Sequence, residues 1–187
     1  MRKLPKFLDQ HELEALFASV SSTKSSRAIK QEVMLRLMAD VGLRSCEVLA
    51  LCIRDVNMQT CRIAIRESKH GASRMVWCAP ELRDLIGAWL EIRPESSHDL
   101  LFVTASGRPV GRQSLYKTVT TAARRAKIDW SVSPHALRHT FATRLYRQTK
   151  DIRLVQKALG HANLSTTMIY THVVDDDLQD AMVRLHA

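Results

Sequence analysis

One change in hydrophobic spacing restricts the folds open to this chain more than any other feature of its sequence. Apolar residues recur at helical spacing through most of it, as Leu13, Leu16 and Val20 do near the start. Between residues 61 and 79 the spacing changes, because CRIAIRES alternates, KHGAS is a turn and RMVWCA is an apolar run. The sequence therefore predicts one β-hairpin inside an otherwise helical chain.

Helices are predicted on both sides of the hairpin. Before it, the chain carries a helix start near Asp9, a helix over 27–41 that ends at Gly42, and a short helix over 45–51. DVNMQT then predicts an earlier strand and turn, and residues 99–111 predict an extended piece with a Gly/Pro turn. Further helices are expected at 80–92, 112–127, 134–149, 151–159, 163–171 and 175–185. The fold class that follows is mainly α with a small antiparallel β-sheet, an α+β fold.

Positive charge is concentrated in one third of the 187 residues. The formal net charge is +9, and residues 101–160 hold 12 lysines and arginines against 2 acidic residues. Residues 1–100 hold 15 against 13, and residues 161–187 hold 1 against 4. Because a basic block attracts polyanions, this distribution favours a nucleic-acid partner. Charge alone leaves an anionic membrane surface and simple solvation open as alternatives.

Membrane and targeting segments are not predicted. The sequence has no run of 18 apolar residues, as a transmembrane helix requires, and its basic N-terminus lacks the apolar stretch of a signal peptide. The four cysteines form no C-x-x-C pair, so they are expected to be reduced thiols. These features predict a cytoplasmic protein that does not act at a membrane.

The segment SPHALRHTFATRL, residues 133–145, combines histidines, an arginine and a helix start. Pro134 is suited to the first turn of a helix, and His135 and Arg138, three residues apart, share one side of it. Because helix N-termini bind anions, the segment predicts a phosphate site, although an exposed histidine and arginine would give the same pattern. His135 and His139 are spaced for zinc, but the glutamate of H-E-x-x-H is missing, so no metal site is predicted.

Three further motifs carry residues that can meet a phosphate. In VGLRSCEVLAL, Arg44 follows the glycine that ends a helix, and Glu47 lies one turn later, where it can hold the guanidinium group. A surface ion pair of little energetic value is the alternative. Lys69 lies in the hairpin turn, where most lysines are simply solvated. LGH ends in His161, and Tyr170 follows nine residues later within STTMIYTHV.

Taken in order, these motifs resemble the tyrosine recombinases, also called the phage integrase family. The resemblance rests on G-L-R-x-x-E, a hairpin lysine, H-x-L-R-H-T-F-A-T, L-G-H and S-T-T-x-x-Y-T-H-V. It also rests on the gap of 23 residues from Arg138 to His161 and of nine from there to Tyr170. The similarity extends from LPKFLDQHELEALF to YTHV, so it implies the catalytic-domain fold of that family for nearly the whole chain.

The resemblance also implies a reaction. Tyr170 would attack a DNA phosphodiester and become joined to the 3′ end. Arg44 and Arg138 would bind the non-bridging phosphate oxygens, which gain charge in the transition state. Lys69 would protonate the 5′ leaving oxygen. No metal, ATP or other cofactor is implied.

Four more residues receive roles from the resemblance. His135 would accept the tyrosine proton or hold the phosphate. His161 would donate a hydrogen bond to a phosphate oxygen. Glu47 would position Arg44, and His139 is expected to be structural.

The resemblance further predicts a domain plan and partners. Residues 1–174 would be the catalytic domain, and residues 175–187 a tail helix that docks on a neighbouring protomer or on its own domain. The N-terminal core-binding domain of the family is expected to be absent. The implied partners are double-stranded DNA and other protomers, as a tetramer on DNA that can be a monomer alone. A bacterial, phage or mobile-element origin is expected.

Three other functions stay open at this point. A type IB topoisomerase would use the same chemistry to relax DNA, although the small size and the LGH-to-tyrosine spacing favour a recombinase. A catalytically silent DNA-binding regulator would keep the fold, but all six predicted catalytic positions carry competent residues. A metal-dependent nuclease is the third, and insensitivity to EDTA would exclude it.

Overall fold

The computed structural model describes residues 6–21, 25–66, 73–160 and 167, and these ranges contain seven α-helices and a three-stranded sheet. The helices are α1 Gln10–Ser21, α2 Ser26–Ala39, α3 Ser45–Ala50, α4 Pro80–Ile92, α5 Arg112–Arg125, α6 Pro134–Thr149 and α7 Ile152–Leu159. The strands are β1 Val56–Asn57, β2 Arg62–Ile65 and β3 Arg74–Trp77. The predicted mainly α architecture with a small antiparallel sheet is confirmed. Apart from residue 167, the helices predicted at 163–171 and 175–185 lie outside the described residues.

Helix α2 is the central element, in contact with α1, α3, α4, α5 and α6. Because neighbours surround it, α2 is buried on most sides, unlike a surface helix with one apolar stripe. Ser25 begins this helix by accepting a hydrogen bond from the Ala28 N–H. Its buried residues are Ala28, Val33, Met34, Leu35, Leu37, Met38 and Ala39. The C-terminal end of α2 is thereby fixed in the core, and the chain leaves it toward Arg44.

The sheet has the strand order β1-β2-β3, with both pairs antiparallel. Ile63 lies opposite Val76, and both are buried. Since side chains alternate between the two faces of a strand, Arg74 shares the inner face with Val76. Trp77 lies on the other face and is 61% exposed. The hairpin therefore directs an arginine toward the helices.

Residues 99–111 form an extended piece, as predicted. Isolated antiparallel bridges join Leu100 to Cys52, and Val103 to Pro109 across the turn at Gly107. Within the described part of the chain, no helix combines the length and apolar composition needed to cross a bilayer.

Helix α7 packs on α6 through a small second core, formed by Ala142, Tyr146, Val155 and Leu159. Asp151 begins α7 by accepting hydrogen bonds from the N–H groups of Arg153 and Leu154. This packing fixes the C-terminal end of α7 beside α6.

Candidate active site

Gly42 makes the turn that leads from α2 to Arg44. Its φ is +76°, and a Cβ at this position would collide with the Phe141 ring of α6. Any other residue would therefore be strained in its backbone and also push α6 away. The glycine of the G-L-R motif lets the α2–α3 junction pack directly on α6, and Arg44 then precedes the first residue of α3.

Glu47 is the centre of a buried charged cluster. Its side chain is only 3% exposed. Oε2 accepts the Arg44 backbone N–H at 2.8 Å, and Oε1 accepts Arg44 Nη1 at 2.9 Å. Glu47 thus closes the first turn of α3 and holds the Arg44 guanidinium at the same time. This dual contact gives a physical reason for the spacing of three residues in the motif.

Arg138 reaches the same cluster from α6. It is 4% exposed, and its Nη1 lies 3.7 Å from Glu47 Oε2. Nη1 donates to the Gly42 carbonyl at 2.6 Å, and Nη2 donates to the Leu159 carbonyl at 2.7 Å. Because one carbonyl lies in the turn after α2 and the other at the end of α7, they set the orientation of the guanidinium plane.

Arg74 is the fourth member of the cluster, and it was not among the site residues predicted from the sequence. Its side chain is 9% exposed. Nη1 and Nη2 donate to the two carboxylate oxygens of Glu47 at 2.8 and 2.9 Å, and Nε donates to the Ala158 carbonyl at 3.1 Å. The alternation of side chains along the strand could have identified it. Arg74 is two residues before the apolar Val76, so both side chains point to the buried face. We refer to Arg44, Arg74 and Arg138 around Glu47 as the Glu47 cluster.

Gly160 is a second position in the site that favours glycine. Its φ is +63°, and a Cβ there would lie 2.8 Å from Arg74 Cδ. This left-handed residue ends α7, which lets Arg74 approach the helix terminus. The glycine of L-G-H therefore has a packing role in the Glu47 cluster, and His161 is the next residue in the chain.

The Glu47 cluster carries more positive than negative charge. Burial alone would raise the pKa of Glu47. The hydrogen bonds from Arg74 and from the Arg44 N–H, with the charges of Arg74 and Arg138, instead lower it to about 2. Glu47 is therefore ionised at neutral pH and neutralises one of three guanidinium charges. Two positive charges are left in a nearly buried place, an arrangement that attracts a phosphate.

His135 and His139 lie on either side of Arg138 along α6, but they line a cavity that Arg138 does not line. His135 is exposed in the first turn, and both histidines line a cavity of about 450 Å³ together with Lys6 and Trp130. Ser133 Oγ accepts the Ala136 N–H at 3.3 Å. The sequence predicted an anion site at this helix N-terminus. One of its backbone N–H groups is already bonded to the capping Ser133 and is not available to an anion.

The electrostatics of His139 lead to a prediction about stability. Burial, followed by the nearby charges of His135 and Arg138, lowers the pKa of His139 from 6.5 to about 4. The His139 imidazole therefore binds a proton more tightly in the unfolded chain than in the folded one. The stability that neutral His139 contributes is complete above pH 6.5 and is lost as the pH falls toward 4.

We expect the free energy of unfolding to drop between pH 7 and pH 4.5 by about 1 kcal/mol more in the wild type than in His139→Gln. Urea denaturation at the two pH values measures this difference. Equal losses in the two proteins would show that His139 does not titrate in this way.

The predicted site residues thus fall into three groups. Arg44, Glu47 and Arg138 are brought together, and His135 and His139 share the neighbouring cavity. The third group, Lys69, His161 and Tyr170, lies outside the described residues. The described ranges contain no group of three or more histidines, cysteines or acidic residues arranged to hold a metal ion.

Known proteins are similar to this chain in both sequence and structure. The Phage integrase family model matches residues 6–176. Tyrosine recombinase XerD of Halalkalibacterium halodurans is 32% identical over 99% of this chain and 63% of its own length. The XerA recombinase structure gives a TM-score of 0.86 at 31% identity, covering 100% of this chain and 67% of its own. The post-cleavage complex of XerH with the palindromic difH substrate gives 0.86 at 31% identity, covering 99% and 54%. This chain therefore spans less than two thirds of the length of the curated relative.

Proposed function

Because this chain belongs to the phage integrase family, we propose that it acts as a site-specific DNA recombinase, with Tyr170 as its nucleophile. The predicted family and its catalytic-domain fold are confirmed by the similarities described above. The observation that carries the functional proposal is the Glu47 cluster, in which three guanidinium groups surround one carboxylate. Its two uncompensated positive charges suit a phosphodiester, whose transition state carries about two negative charges.

In the proposed cleavage step, Tyr170 Oη forms a bond to phosphorus and the bond from phosphorus to the 5′ oxygen breaks. A free phenol has a pKa of about 10, so its proton must leave as it attacks. His135 accepts that proton, and Lys69 gives one to the departing oxygen, which keeps the bonding electron pair. The products are a 3′-phosphotyrosyl link and a free 5′-hydroxyl.

Rejoining is the same reaction in reverse. The 5′-hydroxyl of a second strand attacks phosphorus and gives its proton to the neutral Lys69 amine. Tyr170 leaves and recovers its proton from His135. Since the ester conserves the energy of the broken bond, the exchange requires no ATP.

Arg44 and Arg138 are proposed to stabilise the charge that develops on the phosphate, together with a hydrogen bond from His161. A guanidinium acts best when it is already oriented before the reaction. Arg138 meets this condition through its bonds to the Gly42 and Leu159 carbonyls. Arg44 is oriented by its bonds to Glu47, so we assign Glu47 a positioning role. We propose a structural role for His139.

Arg74 is proposed as a further positioning residue. It begins β3 five residues after Lys69, and it binds both Glu47 and the carbonyl of Ala158, three residues before His161. One side chain therefore ties the hairpin, the α3 arginine site and the end of α7 together. We expect hairpin position to depend on this contact.

The partner we propose is double-stranded DNA, bound in part by the basic block at 101–160. We also propose that other protomers assemble on the DNA and that residues 175–187 dock as a tail beside a catalytic domain made of residues 1–174. A recombinase of this kind would work in the cytoplasm of a bacterial cell. The names of the relatives favour strand exchange over relaxation alone, which leaves a topoisomerase activity as the weaker choice.

A nicked suicide substrate tests the proposed function directly. A duplex nicked beside the cleavage site loses a short fragment after attack, so the covalent complex cannot be resealed and accumulates. Because a suicide substrate needs a defined cleavage site, adducts should first be trapped on genomic DNA of the source and their DNA ends sequenced. We expect a protease-sensitive adduct that forms equally in EDTA. A protein that binds the same duplex without forming an adduct would be a regulator instead.

The proposed role of Lys69 predicts chemical rescue. Lys69→Ala should slow cleavage of normal DNA by about 10²- to 10⁴-fold, the typical contribution of a general acid. A substrate with sulfur at the 5′ bridging position has a better leaving group and should be cleaved by Lys69→Ala at nearly the wild-type rate. Arg44→Ala is the matched control, because sulfur replaces no phosphate contact and should not rescue it. Absence of rescue in Lys69→Ala would place the acid elsewhere.

A further inference from the structure

A basic cavity lies between the N-terminal part of α2 and the length of α5. It encloses about 420 Å³, and we refer to it as the α2–α5 cavity. Five cationic side chains line it: Arg27, Lys30, Lys117, Arg124 and Arg125. Among the described residues, no carboxylate lines the cavity and none of these five side chains forms an ion pair. Its volume is that of a small-ligand site.

The cavity is distant from the Glu47 cluster. Arg27 and Lys30 lie in the first turns of α2, whereas Arg44 follows its opposite end. Lys30 lies nine residues before Ala39, the last residue of α2, so at a rise of about 1.5 Å per residue the two are roughly 14 Å apart along the helix. A ligand in the α2–α5 cavity would therefore not contact the proposed reaction site.

Lys30 is held at the inner end of the cavity. Its Nζ donates to the Val103 carbonyl at 2.8 Å and lies 5.5 Å from the centre of the Trp89 ring. Burial, and then the charge of Arg27, lowers the pKa of Lys30 below its ordinary value. Two like charges next to each other in a partly buried place are unfavourable, and an anion between them would relieve the repulsion.

Polar groups accompany the cations on the α5 wall. The hydroxyl of Thr118 donates to the Ser114 carbonyl at 3.0 Å and lies 3.5 Å from Gln31 Nε2, which links α5 to α2. Ser114 and Thr121 also line the cavity. Guanidinium, ammonium and hydroxyl groups all bind phosphate oxygens in proteins.

We propose that the α2–α5 cavity binds a phosphate-bearing polyanion at a site separate from the active site. Five positive charges without a described counter-charge fit a ligand with several phosphates better than a single anion. That chemistry is shared by the backbone of a DNA segment and by a free polyphosphate. The inference does not depend on the cleavage reaction, because binding can be measured without it.

The test is calorimetric titration of the full chain with inorganic tripolyphosphate at fixed salt. Arg124→Gln/Arg125→Gln removes two exposed cavity charges from the last turn of α5 and should weaken binding about tenfold. The matched control, Arg62→Gln/Arg108→Gln, removes two exposed arginines outside the cavity and should leave the Kd within about twofold. Lys117→Gln is a second cavity variant, with an expected loss of about threefold, in case the double variant does not fold.

The titrations distinguish binding in the cavity from nonspecific attraction to a basic protein. Selective weakening in the cavity variants supports the site, whereas absence of saturable binding, or equal weakening in the control, overturns it. A second arm adds a DNA duplex to the protein saturated with tripolyphosphate. Competitive displacement identifies the DNA backbone as the occupant, and simultaneous binding identifies a free anion; both results require the site to exist.

Discussion

The Tyr170→Phe variant is expected to form no covalent complex with a nicked suicide substrate on which the wild type accumulates one. Phenylalanine keeps the ring but lacks the oxygen that must bond to phosphorus. Loss of a nucleophile removes the covalent pathway, so adduct formation should fall by at least about 10³-fold. DNA affinity should change by less than about twofold, because every cationic side chain is retained.

The other two tyrosines supply the matched controls. Tyr116 is 50% exposed on α5, and Tyr146 lies 9% exposed against α7. Adducts should form normally with Tyr116→Phe, and with Tyr146→Phe if the protein stays folded by circular dichroism. Adduct formation by Tyr170→Phe, or its selective loss in either control, would assign the nucleophile to another residue.

Glu47→Ala is expected to lower the free energy of unfolding by about 3–5 kcal/mol, the cost of removing one member of a buried ionic group. The variant leaves three guanidinium groups with no carboxylate among them, and the Arg44 N–H loses its acceptor. Guanidinium denaturation at pH 7 measures the loss. DNA cleavage should fall with it under conditions where the variant is still folded.

Asp40→Ala is the control for the loss of a carboxylate alone. Asp40 lies 3.5 Å from Arg36 and 3.0 Å from Arg144, but its side chain is 27% exposed. Surface pairs contribute about 0–1 kcal/mol, so a similar loss in both variants would contradict the importance of burial.

The stability that Glu47 contributes depends on pH. Its pKa in the folded protein is about 2, below its ordinary 4.5, so this stability is complete above pH 4.5 and is lost toward pH 2.

Local signals in the sequence predicted the helices well. Helix α6 was expected at 134–149 and has those bounds, because Ser133 and Pro134 are strong start signals. Strand β2 is shorter than the alternating segment that predicted it: Arg62–Ile65 pairs with β3, although CRIAIRES covers 61–68. Alternation indicates which side chains face inward, but the partner strand decides where pairing begins and ends.

The Glu47 cluster could be predicted only in part. Arg44 and Glu47 are three residues apart, so their contact follows from helix geometry. Arg74 is 27 residues from Glu47, and its contact depends on how the sheet packs against α3. Arg138 was expected to share one face with His135, yet Arg138 is buried and His135 is exposed. The N-terminus of α6 reaches the surface, so one turn of helix separates the two environments.

The contact between Gly160 and Arg74 has an evolutionary consequence. A Cβ at 160 would meet the methylene stem of the arginine, and the φ of +63° disfavours most other residues as well. Positions 74 and 160 should therefore covary: related sequences with a larger residue at 160 should carry a shorter one at 74. Such relatives would need a different counter-charge for their glutamate, which should keep both changes uncommon, but where position 160 changes, position 74 should change with it.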